Sequence, residues 1–323
     1  MIYQSVRDIV LDDIFLDLPG LIPDVRLILK IEGLNPAGSI KLKPAIALVS
    51  NLEAEGLITG GSKLIESSSG NLGIALGVAC AAKGYRLTLV TDPNASRHAI
   101  RIMRALGVNV VEVTEKDDNG GYLQSRIDYI YDQMNRDPEL IWLNQYANSA
   151  NVRTHRDRTA LRLHRELSPI DAVVVGVGTS GTLMGCVEYF AEHSPATRIV
   201  AVDAEGSVTF GGRPGRRRIP GLGASRRPEL FRDTGTFEKM MVPEIETIGM
   251  CRRVASQFGL LVGGSTGTAL AAAARVASSL SPGARVAVVS PDLGEKYVET
   301  IYSDEWVETH YPRSLRAALS SGG

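Results

Sequence analysis

In Asn35-Pro36-Ala37-Gly38-Ser39-Ile40-Lys41 a proline and glycine turn leads into an apolar helix and places one lysine at its opening. An ammonium in a partly dry site near the positive end of a helix loses solvation and feels the dipole. Both effects lower its pKa and make the amine nucleophilic. A surface lysine at a helix start is the alternative reading, and Lys43, two residues on, points elsewhere on the helix. A second feature is the run Val173-Val174-Val175-Gly176-Val177, which passes into Gly178-Thr179-Ser180-Gly181-Thr182 before Leu183-Met184-Gly185 begins a helix. Small residues at a helix start expose backbone N–H groups and hydroxyls, which suits a phosphate monoester; a strand-to-helix turn with no ligand is the other reading. The spacing is not that of a dinucleotide-binding glycine loop, and the lysine of an ATP-type phosphate loop is missing.

Two more junctions have the same character. Glu66-Ser67-Ser68-Ser69-Gly70-Asn71-Leu72-Gly73 follows a short strand, and its hydroxyls and free amides suit a substrate carboxylate, with Asn71 offering its amide to an oxygen. Gly263-Gly264-Ser265-Thr266-Gly267-Thr268 is the other. Helix capping explains serine and asparagine at either place equally well.

The elements that position these junctions read as an α/β alternation. Short branched runs at 26–30, 63–66, 86–90, 109–113, 171–177, 198–203 and 286–290 are interleaved with helical segments at 44–56, 73–84 and 268–280. That order implies mainly parallel sheets, whose ligands collect where strands end and the following helices begin. The segment from Gly206 to Pro228 breaks the pattern. It holds three prolines, six glycines and six arginines, and reads as a long functional loop.

The 323 residues suggest two domains or one large one, at roughly 150 residues per domain. With 35 basic against 36 acidic side chains, the chain has no global charge to recruit nucleic acid or an anionic membrane. Cys80, Cys186 and Cys251 lie far apart among apolar residues, so they form neither a disulfide framework nor a metal-ligand spacing, and no metal is expected. No apolar stretch reaches a membrane span of roughly 20 residues, and the acidic N-terminal residues do not suit a signal peptide. A cytoplasmic location is the expectation. The basic tail after Pro312 is expected to be loosely ordered.

From about Asp24 to Tyr302 the chain resembles the pyridoxal-phosphate β-replacement enzymes of the cysteine synthase and cystathionine β-synthase family. The matches are Asn35 to Lys41, Glu66 to Gly73, Asn144-Gln145-Tyr146-Ala147-Asn148, Gly178 to Thr182, Pro220-Gly221-Leu222-Gly223-Ala224, Gly263 to Gly267 and Pro291-Asp292-Leu293-Gly294-Glu295-Lys296-Tyr297. The resemblance implies a two-domain fold type II enzyme like the tryptophan synthase β chain, each domain a mainly parallel sheet flanked by helices. Residues 1–44 with 156–323 would form the larger, cofactor-anchoring domain and residues 45–155 the smaller, mobile one that closes over substrate. A homodimer is implied as well.

By the same resemblance Lys41 is the Schiff-base lysine and the group that moves the Cα proton. Gly178, Thr179, Ser180, Gly181 and Thr182 hold the cofactor phosphate, Asn71 bonds the phenolic oxygen and Ser265 meets the pyridine nitrogen. Ser68, Ser69, Asn71, Leu72 and Gln145 line the place of the substrate α-carboxylate. One branch of the family is matched beyond the cofactor residues: the siderophore-pathway enzymes that join O-phospho-L-serine and L-glutamate into N-(2-amino-2-carboxyethyl)-L-glutamate, a precursor of 2,3-diaminopropionate. This match rests on 69–76, Gly120-Gly121-Tyr122-Leu123, 202–208, 220–226, and Tyr297 with 301–306.

A dicarboxylate nucleophile and a phosphate leaving group call for more positive charge than sulfide chemistry does. Arg213, Arg216, Arg217, Arg218, Arg226 and Arg227 of the long loop are the candidates, with Arg218, Ser225 and Tyr146 assigned to the substrate site. The alternatives are a cysteine synthase using O-acetyl-L-serine or O-phospho-L-serine with sulfide, and a catalytically silent scaffold, against which the intact Lys41, Asn71 and Ser265 speak. Two positions depart from the family pattern: Leu42-Lys43 stands where Asp-Arg is usual, and Ile22-Pro23-Asp24 where Thr-Pro is usual.

Overall fold

The computed structural model describes residues 2–117 and 121–311. Gly120 of the branch motif and the tail after Pro312 lie outside the described residues. The chain divides into two compact units, Met1–Leu11 with Asn35–Thr154, and Asp12–Leu34 with His155–Gly323. Relative to the division expected from sequence, residues 1–11 and 35–44 fall in the first unit, and Lys41 with them.

The strands are β1 (Phe15–Asp17), β2 (Val25–Ile31), β3 (Lys63–Ser67), β4 (Arg86–Thr91), β5 (Asn109–Glu112), β6 (Leu140–Trp142), β7 (Ala172–Gly176), β8 (Arg198–Ala204), β9 (Glu238–Val242) and β10 (Ala284–Ser290). The helices are α1 (Leu42–Ala54), α2 (Asn71–Ala81), α3 (Arg97–Ala105), α4 (Leu123–Arg136), α5 (Ala150–Thr154), α6 (Leu161–Leu167), α7 (Gly181–His193), α8 (Glu244–Phe258), α9 (Gly264–Ala277) and α10 (Asp304–His310).

In the first unit β5-β4-β3-β6 form a four-stranded, wholly parallel sheet. Its core gathers Leu42, Leu48 and Val49 of α1, Leu72, Leu76 and Ala79 of α2, and Leu64 and Leu89 of the sheet. Helix α2 is buried from Leu72 to Cys80, so it needs no polar face. At Gly73 a Cβ would stand 2.6 Å from Met103 Cε and 2.9 Å from Leu89 Cδ1, so any larger residue pushes those two side-chain ends aside.

The second unit carries a six-stranded sheet in the order β1-β2-β10-β7-β8-β9, parallel except for β1 against β2. Its central strands are unbroken apolar runs because helices cover both faces of a parallel sheet. Val173, Val174 and Val175 of β7 and Val286, Ala287 and Val288 of β10 are almost fully buried. Helix α9 lies against the sheet through Ala269, Leu270, Ala272 and Ala273, where small side chains permit close approach. No helix among the described residues is long and apolar enough to cross a membrane.

Candidate active site

In the first unit Lys41 is the residue from which α1 starts, with φ −69° and ψ −13°, and its carbonyl accepts from Ala45 N–H at 3.0 Å. The side chain is half-buried, and desolvation lowers its pKa from 10.5 to about 8. Burial is the cause, one of the two effects expected from the sequence. Among the described residues no carboxylate forms an ion pair with Lys41. Its neighbour Lys43 is buried on the same helix and engaged in contacts of its own.

The turn from Ser67 to Asn71 leads from β3 into α2. Capping accounts for one of its serines: Ser68 Oγ accepts from Gly73 N–H at 2.9 Å, satisfying an N–H of the first turn of α2. The Ser67 hydroxyl is buried with no partner among the described residues. Asn71 is the first residue of α2 and half-buried, Leu72 is buried and Ser69 half-buried. Gln145, beyond β6, is brought to this turn, its Nε2 donating to Ser67 O at 3.1 Å. Tyr146 follows it and is half-buried; burial raises its phenol, Arg126 opposes the rise, and Glu66 and Asp92 add to it.

In the second unit Gly178 to Thr182 joins β7 to α7. Ser180 precedes α7 in the left-handed region at φ 72°, an uncommon conformation for a residue with a Cβ. Its side chain caps nothing: Ser180 Oγ is buried with no partner among the described residues. Ser96 and Ser303, by contrast, accept from the first turns of α3 and α10 as ordinary caps do. Helix capping therefore does not account for the serine at the β7–α7 junction. A left-handed serine with an orphaned hydroxyl at a helix N-terminus fits a phosphate monoester.

Helix α9 likewise starts from Gly263 without a side-chain cap, and Ser265 is buried in its first turn. Gly221, at φ +112°, lies so close that a Cβ there would overlap Ser265 Oγ. Only glycine combines that backbone with that approach.

The structure sorts the six loop arginines. Arg217 Nη1 donates to Gly206 O and Ala224 O, both at 3.0 Å, tying the loop to itself. Arg226 pairs with Glu229 at 3.5 Å, Arg227 lies 4.9 Å from the Phe231 ring centroid, and Arg213 and Arg216 are exposed. Arg218 differs from these. Its backbone N–H is held by Glu244 Oε1 at 2.7 Å, its guanidinium lies 6.0 Å from the Tyr311 ring centroid, and its Nε is buried with no partner among the described residues. Ser225 is half-buried in the same loop.

Sequence reasoning passed over Glu66, Trp142 and Arg126. Glu66 is a carboxylate inside the apolar run Lys63-Leu64-Ile65-Glu66-Ser67, a local sign that it is buried and paired. The three cysteines are buried, and burial pushes the Cys80 and Cys251 thiols up to about 12.

Known proteins resemble the chain in sequence and in fold. Residues 15–292 match the family described as "Pyridoxal-phosphate dependent enzyme". Over 279 residues the chain is 41% identical to an N-(2-amino-2-carboxyethyl)-L-glutamate synthase of Ralstonia nicotianae, covering 86% of this chain and 82% of that one. Among solved structures, an O-ureido-L-serine synthase superimposes with a TM-score of 0.88 at 27% identity, over 98% of this chain and 100% of that one. An O-acetylserine-dependent cystathionine β-synthase from Helicobacter pylori gives 0.86 at 28%, over 94% and 100%. The chain belongs to the pyridoxal-phosphate-dependent enzymes of fold type II, in the cysteine synthase and cystathionine β-synthase family, and is a β-substituting synthase.

Proposed function

We propose that this synthase joins O-phospho-L-serine to the amine of L-glutamate, giving N-(2-amino-2-carboxyethyl)-L-glutamate and phosphate, on the way to 2,3-diaminopropionate. The observation that carries the reading is the 41% identity over 86% of the chain to the Ralstonia synthase of that name. A half-buried loop arginine with a buried, unpartnered Nε supports it, since a second carboxylate-bearing substrate needs such a group.

Pyridoxal phosphate, when bound, supplies the electron sink that lets an amino acid lose its Cα proton and then its β-substituent. Gly178, Thr179, Ser180, Gly181 and Thr182 would hold its phosphate, Asn71 its phenolic oxygen, Ser265 its ring nitrogen, and Lys41 its aldehyde carbon. The orphaned Ser180 hydroxyl and the unpaired Lys41 amine fit those tasks.

Lys41, with its pKa near 8, can hold and release a proton close to neutral pH, as the base that takes the Cα proton and later returns it must. Ser68, Ser69, Leu72 and Gln145 orient the α-carboxylate; Ser68 Oγ accepts from both Gly70 N–H and Gly73 N–H, which leaves its hydroxyl hydrogen to serve as donor. Arg218, with Ser225 and Tyr146, receives the glutamate. The bond from Cβ to the phosphate oxygen breaks, the glutamate nitrogen bonds to Cβ, and that nitrogen gives up a proton. A serine facing the ring nitrogen leaves it less protonated than a carboxylate would, which suits β-elimination.

The same reading includes a homodimer working in the cytoplasm, and light scattering of the purified protein checks the dimer. The reaction is tested by phosphate release from O-phospho-L-serine with and without L-glutamate. Release that depends on glutamate supports the proposal, and release that answers to sulfide alone assigns a cysteine synthase instead.

A further inference from the structure

Glu66, the penultimate residue of β3, is fully buried, and both of its oxygens are occupied. Oε1 accepts from Ser67 N–H at 2.7 Å and from Trp142 Nε1 at 3.0 Å, while Oε2 accepts from Gln145 N–H at 3.0 Å. Gln145 returns a bond from Nε2 to Ser67 O at 3.1 Å, and its own carbonyl accepts from Asn151 Nδ2 at 3.0 Å. One carboxylate thus joins the strand end that begins the Ser67–Asn71 turn to the segment carrying Gln145, 79 residues away.

Burying a carboxylate costs several kcal/mol, so a purely packing role would be served better by an apolar side chain. Three N–H donors converge here, and only a group that accepts at both oxygens satisfies all of them. A glutamine would present an N–H to one of them. We propose that Glu66 is a positioning residue for the substrate α-carboxylate: by gripping Ser67, Trp142 and Gln145 it fixes the turn and Gln145 in the geometry that receives that group. This rests on the reading of the Ser68, Ser69 and Gln145 region as the carboxylate site.

The charged and titratable groups around Glu66 are Arg126 of α4, paired with Asp92 at 3.3 Å beyond β4, and Tyr146 beyond β6. Burial outweighs the three hydrogen bonds and the attraction of Arg126, lifting the carboxyl from 4.5 to about 7. Opening the grip to water returns the carboxyl to 4.5, so the closed grip binds the proton more tightly and strengthens as pH falls below about 7; the protonated oxygen keeps a lone pair for an N–H, which a glutamine nitrogen lacks.

The test compares cofactor-loaded wild type, Glu66→Gln and Glu66→Asp. Hydrogen exchange is followed in peptides covering 64–73 and 140–148 between pH 6 and 8, corrected for intrinsic rates, and KM and kcat are measured for O-phospho-L-serine. Wild-type protection at the Ser67 and Gln145 amides should rise on the acid side of about pH 7. In Glu66→Gln protection should be at least about tenfold lower and flat with pH, with KM up about tenfold and kcat within about threefold, changes on the scale of a lost charge-assisted hydrogen bond. Glu66→Asp keeps the charge and should keep the acid limb. The proposal is overturned if Glu66→Gln retains wild-type protection and KM, if it loses kcat at constant KM, or if wild-type protection is flat with pH. Exchange needs no turnover, so an inactive wild type refutes the substrate reading and a flat exchange profile refutes the role of Glu66.

Discussion

Replacing Lys41 by methionine should stabilise the apoprotein at neutral pH while abolishing its chemistry. Methionine keeps most of the apolar stem and removes the ammonium whose desolvation lowers the pKa from 10.5 to about 8. At about 1.4 kcal/mol for each tenfold change, that fall corresponds to about 3 kcal/mol, an upper value because the side chain is only half-buried. Below about pH 8 Lys41 is protonated in both the folded and the unfolded chain, and the folded chain bears the whole desolvation penalty. Between about 8 and 10.5 the folded chain has released the proton and the unfolded chain has not, so wild-type stability rises with pH across that window. The advantage of Lys41→Met should therefore be greatest at pH 7 and fade above pH 9. With an unfolding entropy of about 2.1 cal/mol/K per residue, 3 kcal/mol is worth about 4 °C in a chain of this length melting as one. Calorimetric melting of both apoproteins at pH 7, 8, 9 and 10 reads the difference. A variant that melts lower than wild type at pH 7, or a difference that does not shrink with pH, would refute the claim that Lys41 stands dry and unpaired.

Gly221→Ala forces a Cβ onto Ser265 Oγ at φ +112° and should raise the dissociation constant of pyridoxal phosphate at least about tenfold, read by absorbance titration of the apoprotein. Arg217→Ala releases the carbonyls of Gly206 and Ala224 and should destabilise the fold by about 1–3 kcal/mol in denaturant titration, whereas exposed Arg216→Ala should change it by less than about 0.5. Arg218→Ala should raise the KM for L-glutamate about tenfold or more, and leave the KM for O-phospho-L-serine within about twofold, in steady-state kinetics.

The parallel strands were legible because a strand covered on both faces is written in consecutive branched residues, as Val173-Val174-Val175 shows. Strands β1 and β6 are three residues long and too short to carry a period, and the edge strand β9, Glu238-Lys239-Met240-Met241-Val242, has a single branched residue. Helices α2 and α9 begin at Asn71 and Gly264, before the apolar runs by which they were recognised, because their first turns are small and polar residues that carry the site. The lysine, the turn and the glycine cradle could be read because each is contiguous in sequence. The use of Glu66 could not, since it depends on Trp142 and Gln145, 76 and 79 residues on. Nor does composition rank six arginines in one loop; the carbonyls that occupy Arg217 and the rings beside Arg218 and Arg227 do so only once the chain is folded.

The most direct measurement is the mass of the product formed by the cofactor-loaded protein from O-phospho-L-serine and L-glutamate labelled with nitrogen-15. The account predicts N-(2-amino-2-carboxyethyl)-L-glutamate carrying the label in its bridging amine, with one phosphate released for each product. An unlabelled product, or product formed only when sulfide replaces glutamate, would contradict it.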